Sequence, residues 1–159
     1  MSPSFTYSVG ITSPYAVATD RHGNVYEADY NGYVNQYFQG VNSVIAHCSV
    51  TSSYVSGVTV DSNNDVFVVY NAGPSGQGQI AEYAGGLQGC NKTVLGVSLL
   101  DQGTMAIDKN DDLVVVEAGK GTVDVIPPPY SSVARTIWHS SATSGTARFS
   151  STTIRPARS

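Results

Sequence analysis

The chain has 159 residues, a formal net charge of −4, 41% apolar residues and only 13% charged ones. That length predicts one domain with a real core, and the apolar fraction excludes a low-hydropathy disordered chain. Net acidity argues against a nucleic-acid partner, which needs a basic face, and no apolar run approaches the ~18 residues of a membrane helix, so neither nucleic acid nor membrane is expected.

The opening residues Met1–Ser4 carry neither a charged n-region nor an apolar h-region. The chain as written therefore reads as cytoplasmic, or as periplasmic or secreted if a leader has been trimmed. Phe5–Val9 follows as a short strand without a sheet of its own. Three self-similar segments come next: Tyr15–Asp29, Gly57–Tyr70 and Thr104–Glu117. Each is an apolar strand, an aspartate, a polar turn and a second apolar strand. The aspartates Asp20, Asp61 and Asp108 recur after 41 and 47 residues. A period of ~40–50 residues with four strands per unit marks a β-propeller blade. The turns His22–Asn24, Asn63–Asn64 and Asn110–Asp111 supply residues that tolerate positive φ, as tight hairpins require. The leading aspartates can accept hydrogen bonds from their own turn, so they read as hairpin locks. Third strands follow at Tyr33–Phe38, Gly78–Tyr83 and Thr122–Ile126, and weaker fourth strands at Ser43–His47, Lys92–Leu95 and Val133–Trp138. Asn71–Gln77 is an insertion, and Pro127–Pro129 must be a loop because proline cannot donate to a ladder. No 3.6-residue period lasts long enough for a helix.

The expected fold is all-β: propeller blades of four antiparallel strands, about three per chain. The segments are 1–12 (an outer strand completing a neighbouring blade), 13–53, 54–100 and 101–138 (the three blades), and 139–159, a Ser/Thr/Arg-rich tail read as flexible, with Ala147–Phe149 as a short edge strand. Three of the eight basic residues, Arg148, Arg155 and Arg158, fall in that tail. Three blades are too few to close a ring, since propellers use about 4–8. An open arc leaves apolar surface wet, which predicts a homodimer closing one six-bladed ring; a fragment of a longer propeller is the rival reading.

The stretch Ser13–Tyr37, with its Ala-Val-Ala-Thr-Asp-Arg-His-Gly-Asn-Val-Tyr-Glu-Ala-Asp core, resembles the NHL-type propeller repeat. The resemblance extends over residues ~13–137 and is strongest in the first repeat. In the second and third, Tyr70 and Glu117 stand where the first has Asp29, and Asn64 and Asp111 replace Gly23. The wider superfamily it implies, lactonase-like six-bladed propellers, includes binding scaffolds and calcium-dependent lactonases, esterases and lyases. The resemblance supports fold more than activity.

Strand direction places Ser13–Tyr15, Asp29–Asn31, Tyr54–Ser56, Tyr70–Asn71, Gly103–Thr104 and Glu117–Gly119 at the channel mouth. Tyr15, Tyr30, Asn31, Tyr54, Tyr70 and Asn71 are candidates to bind a small molecule or peptide. Asp29, Asn31, Asn71 and Glu117 offer oxygen ligands suited to calcium, the one cofactor considered. Asp29, Glu117 and Glu27 are the candidate acid/base groups of the alternative, a metal-assisted hydrolase or lyase of lactonase/esterase type. Against those roles, Asp29 and Asn31 can simply cap a β-turn, and Glu27 and Glu117 can line a solvated edge.

The three histidines are scattered. His22 sits in a turn on the opposite end, His139 opens the tail, and His47 neighbours Cys48, but adjacent strand residues face opposite sides, which argues against a Cys–His dyad. Cys48 and Cys90 permit one disulfide; neither lies in a CxxC, and the demanding geometry favours unpaired thiols. Asn91–Thr93 is a glycosylation sequon that matters only in a secreted eukaryotic protein.

Overall fold

A computed structural model describes residues 5–50, 54–73, 76–101 and 103–139. The expectations for the tail, its edge strand and Arg148, Arg155 and Arg158 lie outside the described residues. Among the described residues, twelve strands form three four-stranded antiparallel sheets, each in simple sequential order. The first holds β1 (Pro14–Thr19), β2 (Val25–Asp29), β3 (Tyr33–Tyr37) and β4 (Val44–Ser49). The second holds β5 (Val55–Val60), β6 (Val66–Asn71), β7 (Gly78–Tyr83) and β8 (Thr93–Leu99). The third holds β9 (Met105–Ile107), β10 (Leu113–Glu117), β11 (Thr122–Ile126) and β12 (Arg135–His139). A single turn of 3-10 helix, Gln88–Cys90, is the only helical element among the described residues. These are propeller-like blades, in agreement with the repeat.

One local device makes the first hairpin of every blade. Asp20 Oδ1 accepts the backbone N–H groups of His22 and Asn24 at 2.8 and 2.9 Å. Asp61 Oδ1 accepts those of Asn63 and Asp65 at 2.9 and 2.8 Å. Asp108 Oδ1 accepts those of Asn110 and Asp112 at 2.7 and 3.0 Å. The turn residue needing positive φ is Gly23 in the first blade (80°), Asn64 in the second (67°) and Asp111 in the third (61°). These are the residue types that reach this region at least cost.

Blades pack face to face through residues in matching places. Tyr26, Phe67 and Val114 each stand six positions after the leading aspartate, and Ala28, Val69 and Val116 eight positions after it. Tyr26 and Ala28 are buried in a cluster with Val58 and Val68 of the second blade. Phe67 and Val69 are buried in a second cluster with Met105 and Val115 of the third. Among the described residues no fourth blade covers Val114 and Val116, and Val116 is 39% exposed.

Two features depart from expectation. The cysteines are joined: Cys48 on β4 and Cys90 in the 3-10 turn form a disulfide with Cα atoms 5.4 Å apart. Blade packing sets the outer strand of the first blade beside the turn before β8, and a separation of 42 residues hides this in the sequence. Residues 5–13 form no strand and lie across the first blade's own open face. Asn42 Oδ1 accepts the N–H groups of Ser8 and Val9, Tyr37 Oη donates to Val9 O at 2.9 Å, and the Tyr7 and Tyr37 rings meet at 5.2 Å. Side chains meet the backbone of Ser8, Val9 and Gly10 here.

Two stability measurements test these points. Asp61 is 7% exposed, so Asp61→Ala leaves two turn N–H groups without their acceptor and is expected to cost about 1–3 kcal/mol by urea unfolding, with Asp61→Asn costing less. Opening a loop closed at 42 residues by Cys48→Ala with Cys90→Ala is expected to cost about 2–4 kcal/mol; no change in the urea midpoint would contradict the bridge.

Candidate functional site

Asp29, at the end of β2, is completely buried. Its Oδ2 accepts the N–H and Oγ1–H of Thr12 at 2.9 and 2.7 Å and the N–H of Ser13 at 2.8 Å; its Oδ1 accepts the N–H of Asn31 at 2.8 Å. Burial works to raise its pKa, but these donors outweigh it and hold the carboxyl at about 2. Asn31 also donates Nδ2–H to Thr12 Oγ1 at 2.9 Å. The pair fastens the N-terminal segment to the first blade.

Glu27 lies one pleat back on β2, 4% exposed. Its Oε2 accepts Asn35 Nδ2–H at 2.8 Å, while Oε1 is buried without a hydrogen-bond partner. Burial pushes its pKa up, the Asn35 hydrogen bond offsets part of that, and the charge on Asp29 adds to the rise. Asn35 Oδ1 stands 2.6 Å from His47 Nδ1. With the amide N–H turned to Glu27, that contact requires His47 Nδ1–H as the donor. His47 stacks on Tyr33 with centroids 4.5 Å apart. The row follows from register, since Glu27 pairs with Asn35 and Asn35 with His47 across three strands. The sequence reading missed Asn35 and kept His47 apart from Glu27. Counting pairs outward from the two hairpins is the signal that would have joined them.

Glu117, at the end of β10, is also fully buried. It accepts the N–H of Leu100 and the ammonium of Lys120 at 2.8 Å, tying the link before β9 to the turn after β10. Asn71 is buried at the end of β6 and its Oδ1 accepts Gly73 N–H at 2.9 Å. Tyr70 is buried between the first two blades; its hydroxyl donates to Gln79 Oε1 at 2.9 Å and Lys92 Nζ lies 5.6 Å from its ring centroid. Among the described residues no three His, Cys, Asp or Glu side chains gather in a way that could hold a metal ion. Asp29 and Glu117 each spend their oxygens within their own corner of the fold.

The tyrosines of the mouth do come together. Tyr15 and Tyr30 rings are 5.9 Å apart at 42°, and Tyr30 stacks on Tyr54 at 4.8 Å and 12°. Tyr15 is 62% exposed and Tyr30 45%. Beside them is a shallow depression of about 340 Å³ lined by Tyr15, Ser56, Gly103, Thr104, Val116 and Ala118, so all three blades contribute. Ser56 Oγ donates to Gly103 O at 2.9 Å. Gly103 is required here by close approach: a Cβ would fall 1.6 Å from Val116 O. The inner strands converge at this point because each blade begins there.

No protein-family model matches the chain, and no curated protein matches it. Among solved structures it is similar to Kuenenia stuttgartiensis hydrazine synthase, with a TM-score of 0.64 at 13% identity, over 89% of this chain and 40% of that one. At that identity the likeness shows the fold alone. This chain spans well under two thirds of that neighbour's length. Fold and comparison together define an all-β chain of three propeller-like blades; the NHL-type repeat stays a resemblance.

Asp29 gives a pH test. Its folded pKa lies below the ordinary carboxylate value, so its contribution to stability is complete above that value and disappears as pH falls toward about 2. Asp29→Asn is expected to be less stable near neutrality and to show a smaller loss between pH ~4 and ~2, read by urea midpoints across that range. Parallel acid profiles for both proteins would contradict the assignment.

Proposed function

We propose that the protein is a non-catalytic binding propeller that takes a small ligand or peptide at its channel mouth, assembled from two copies of the three-blade chain. The observation that carries this reading is the depression to which all three blades contribute, with exposed tyrosines at its side. Apolar exposure at both ends of the arc supports the assembly. The first-blade end presents Val9 (49% exposed) and Val17 (67%), and the third-blade end presents Val116 (39%) and Ile137 (52%). A second copy placed head to tail would cover both ends. Cys48 and Cys90 as a disulfide suit an oxidising compartment, which fits the periplasmic or secreted alternative.

The calcium-dependent hydrolase reading draws less support, because Asp29 and Glu117 already accept donors from their own surroundings. Light scattering with metal analysis of the same peak tests the proposal. A dimer of about 33 kDa, twice the 16.7 kDa chain, with ligand-induced thermal stabilisation that Ala118→Trp abolishes by filling the depression, is the expected result. A monomer would overturn the assembly. Esterase or lactonase activity lost on chelation would overturn the binding role.

A further inference from the structure

We infer that the ligand of the mouth is a neutral oligosaccharide, laid along Tyr15 and into the adjoining depression; this rests on the binding role proposed above. Five other tyrosines, Tyr26, Tyr37, Tyr70, Tyr83 and Tyr130, are buried. The chain therefore has interior places for this side chain, yet Tyr15 lies largely in water and Tyr30 nearly half so beside a concave surface. Tyrosine gives a large, stiff, amphipathic contact at small entropic cost. The geometry narrows what can lie there. Tyr30 and Tyr54 stack at 4.8 Å, which leaves no slot between them for a planar ring and no cage around a cation. What the row offers is a platform, and Tyr15 is its exposed end.

The side chains lining the depression are uncharged. The depression is lined by Tyr15, two hydroxyl residues (Ser56 and Thr104) and the apolar or small Val116, Ala118 and Gly103. Of the acids at this end, Asp29 faces inward and holds the N-terminal segment. Glu117 is neutralised by Lys120. A ligand fitting this surface has an apolar face to lay on a tyrosine ring, hydroxyls at its edge to meet hydroxyls and backbone groups, and no net charge. A pyranose has these properties: its ring C–H groups make one face apolar while its hydroxyls project sideways. A volume of about 340 Å³ lies at the lower end of the range for small-ligand sites, suiting one sugar unit with neighbours running along the platform.

The test is isothermal titration of the full-length protein with four soluble probes: cellohexaose, xylohexaose, maltohexaose and laminarihexaose. A decaproline peptide and choline are titrated alongside. At least one hexaose is expected to bind. Tyr15→Ala should weaken it about tenfold or more, the usual effect of removing an aromatic anchor. Tyr15→Phe keeps the ring face and should stay within about threefold, since a conservative ring swap preserves the stacking area. Tyr33→Ala, whose ring stacks on His47 and does not line the depression, should leave binding unchanged. Circular-dichroism melts of each variant separate loss of fold from loss of site. Saccharide binding that survives Tyr15→Ala would overturn the inference, as would equal losses in the Phe and Ala variants. Binding of decaproline or choline alone, abolished by Tyr15→Ala, would overturn the saccharide while leaving the channel-mouth role standing. Binding of no probe, together with no compound that stabilises the protein in an Ala118-dependent way, would overturn both.

Discussion

A blade is a single sheet with two faces, and each face needs something to lie against. Most of this architecture follows from that constraint. The first and second blades bury Tyr26 and Ala28 against Val58 and Val68, and the second and third repeat the contact with Phe67 and Val69 against Met105 and Val115. Both clusters use the same two positions after the leading aspartate, so the hydrophobic effect acts with the period of the repeat. At the third blade the same positions, Val114 and Val116, meet no further blade among the described residues, and Val116 is exposed.

The opposite end is treated differently. In the second blade the face toward its predecessor carries Val68 and Ala81, paired directly in the sheet. In the first blade the matching pair is Glu27 and Asn35. Residues 5–13 hydrogen-bond to this polar face, while Val9 and Val17 stay exposed beside it. Asp29 makes that contact possible by accepting three donors from Thr12 and Ser13. The cost is a buried Glu27 whose Oε1 has no donor. Its raised pKa is the physical expression of that position.

The candidate site inherits its shape from the convergence of inner strands. Successive blades place equivalent positions near one axis, so Tyr15, Ser56 and Gly103, each five residues before a leading aspartate, line one depression. The first contributes an aromatic face, the second a hydroxyl and the third only backbone, because Val116 O leaves no room for a side chain. An asymmetric pocket thus arises from a symmetric scaffold through the choice of one residue per blade.

By itself the sequence determined the blades, their strand order and their hairpins. Those depend on contacts two to four residues apart, which an aspartate and a turn residue declare directly. It also put Tyr15, Tyr30 and Tyr54 at one end of the blades, because strand direction follows from the hairpins, and their rings meet there. Only the tertiary structure decided that Cys48 meets Cys90, that Phe5–Ser13 covers its own blade, and that Tyr70 turns into the core while Tyr30 stacks outside. It alone joined Glu27, Asn35 and His47. Each of these depends on how one sheet lies on another or on register across several strands. Such relations are set by packing over tens of residues, and no local pattern encodes them.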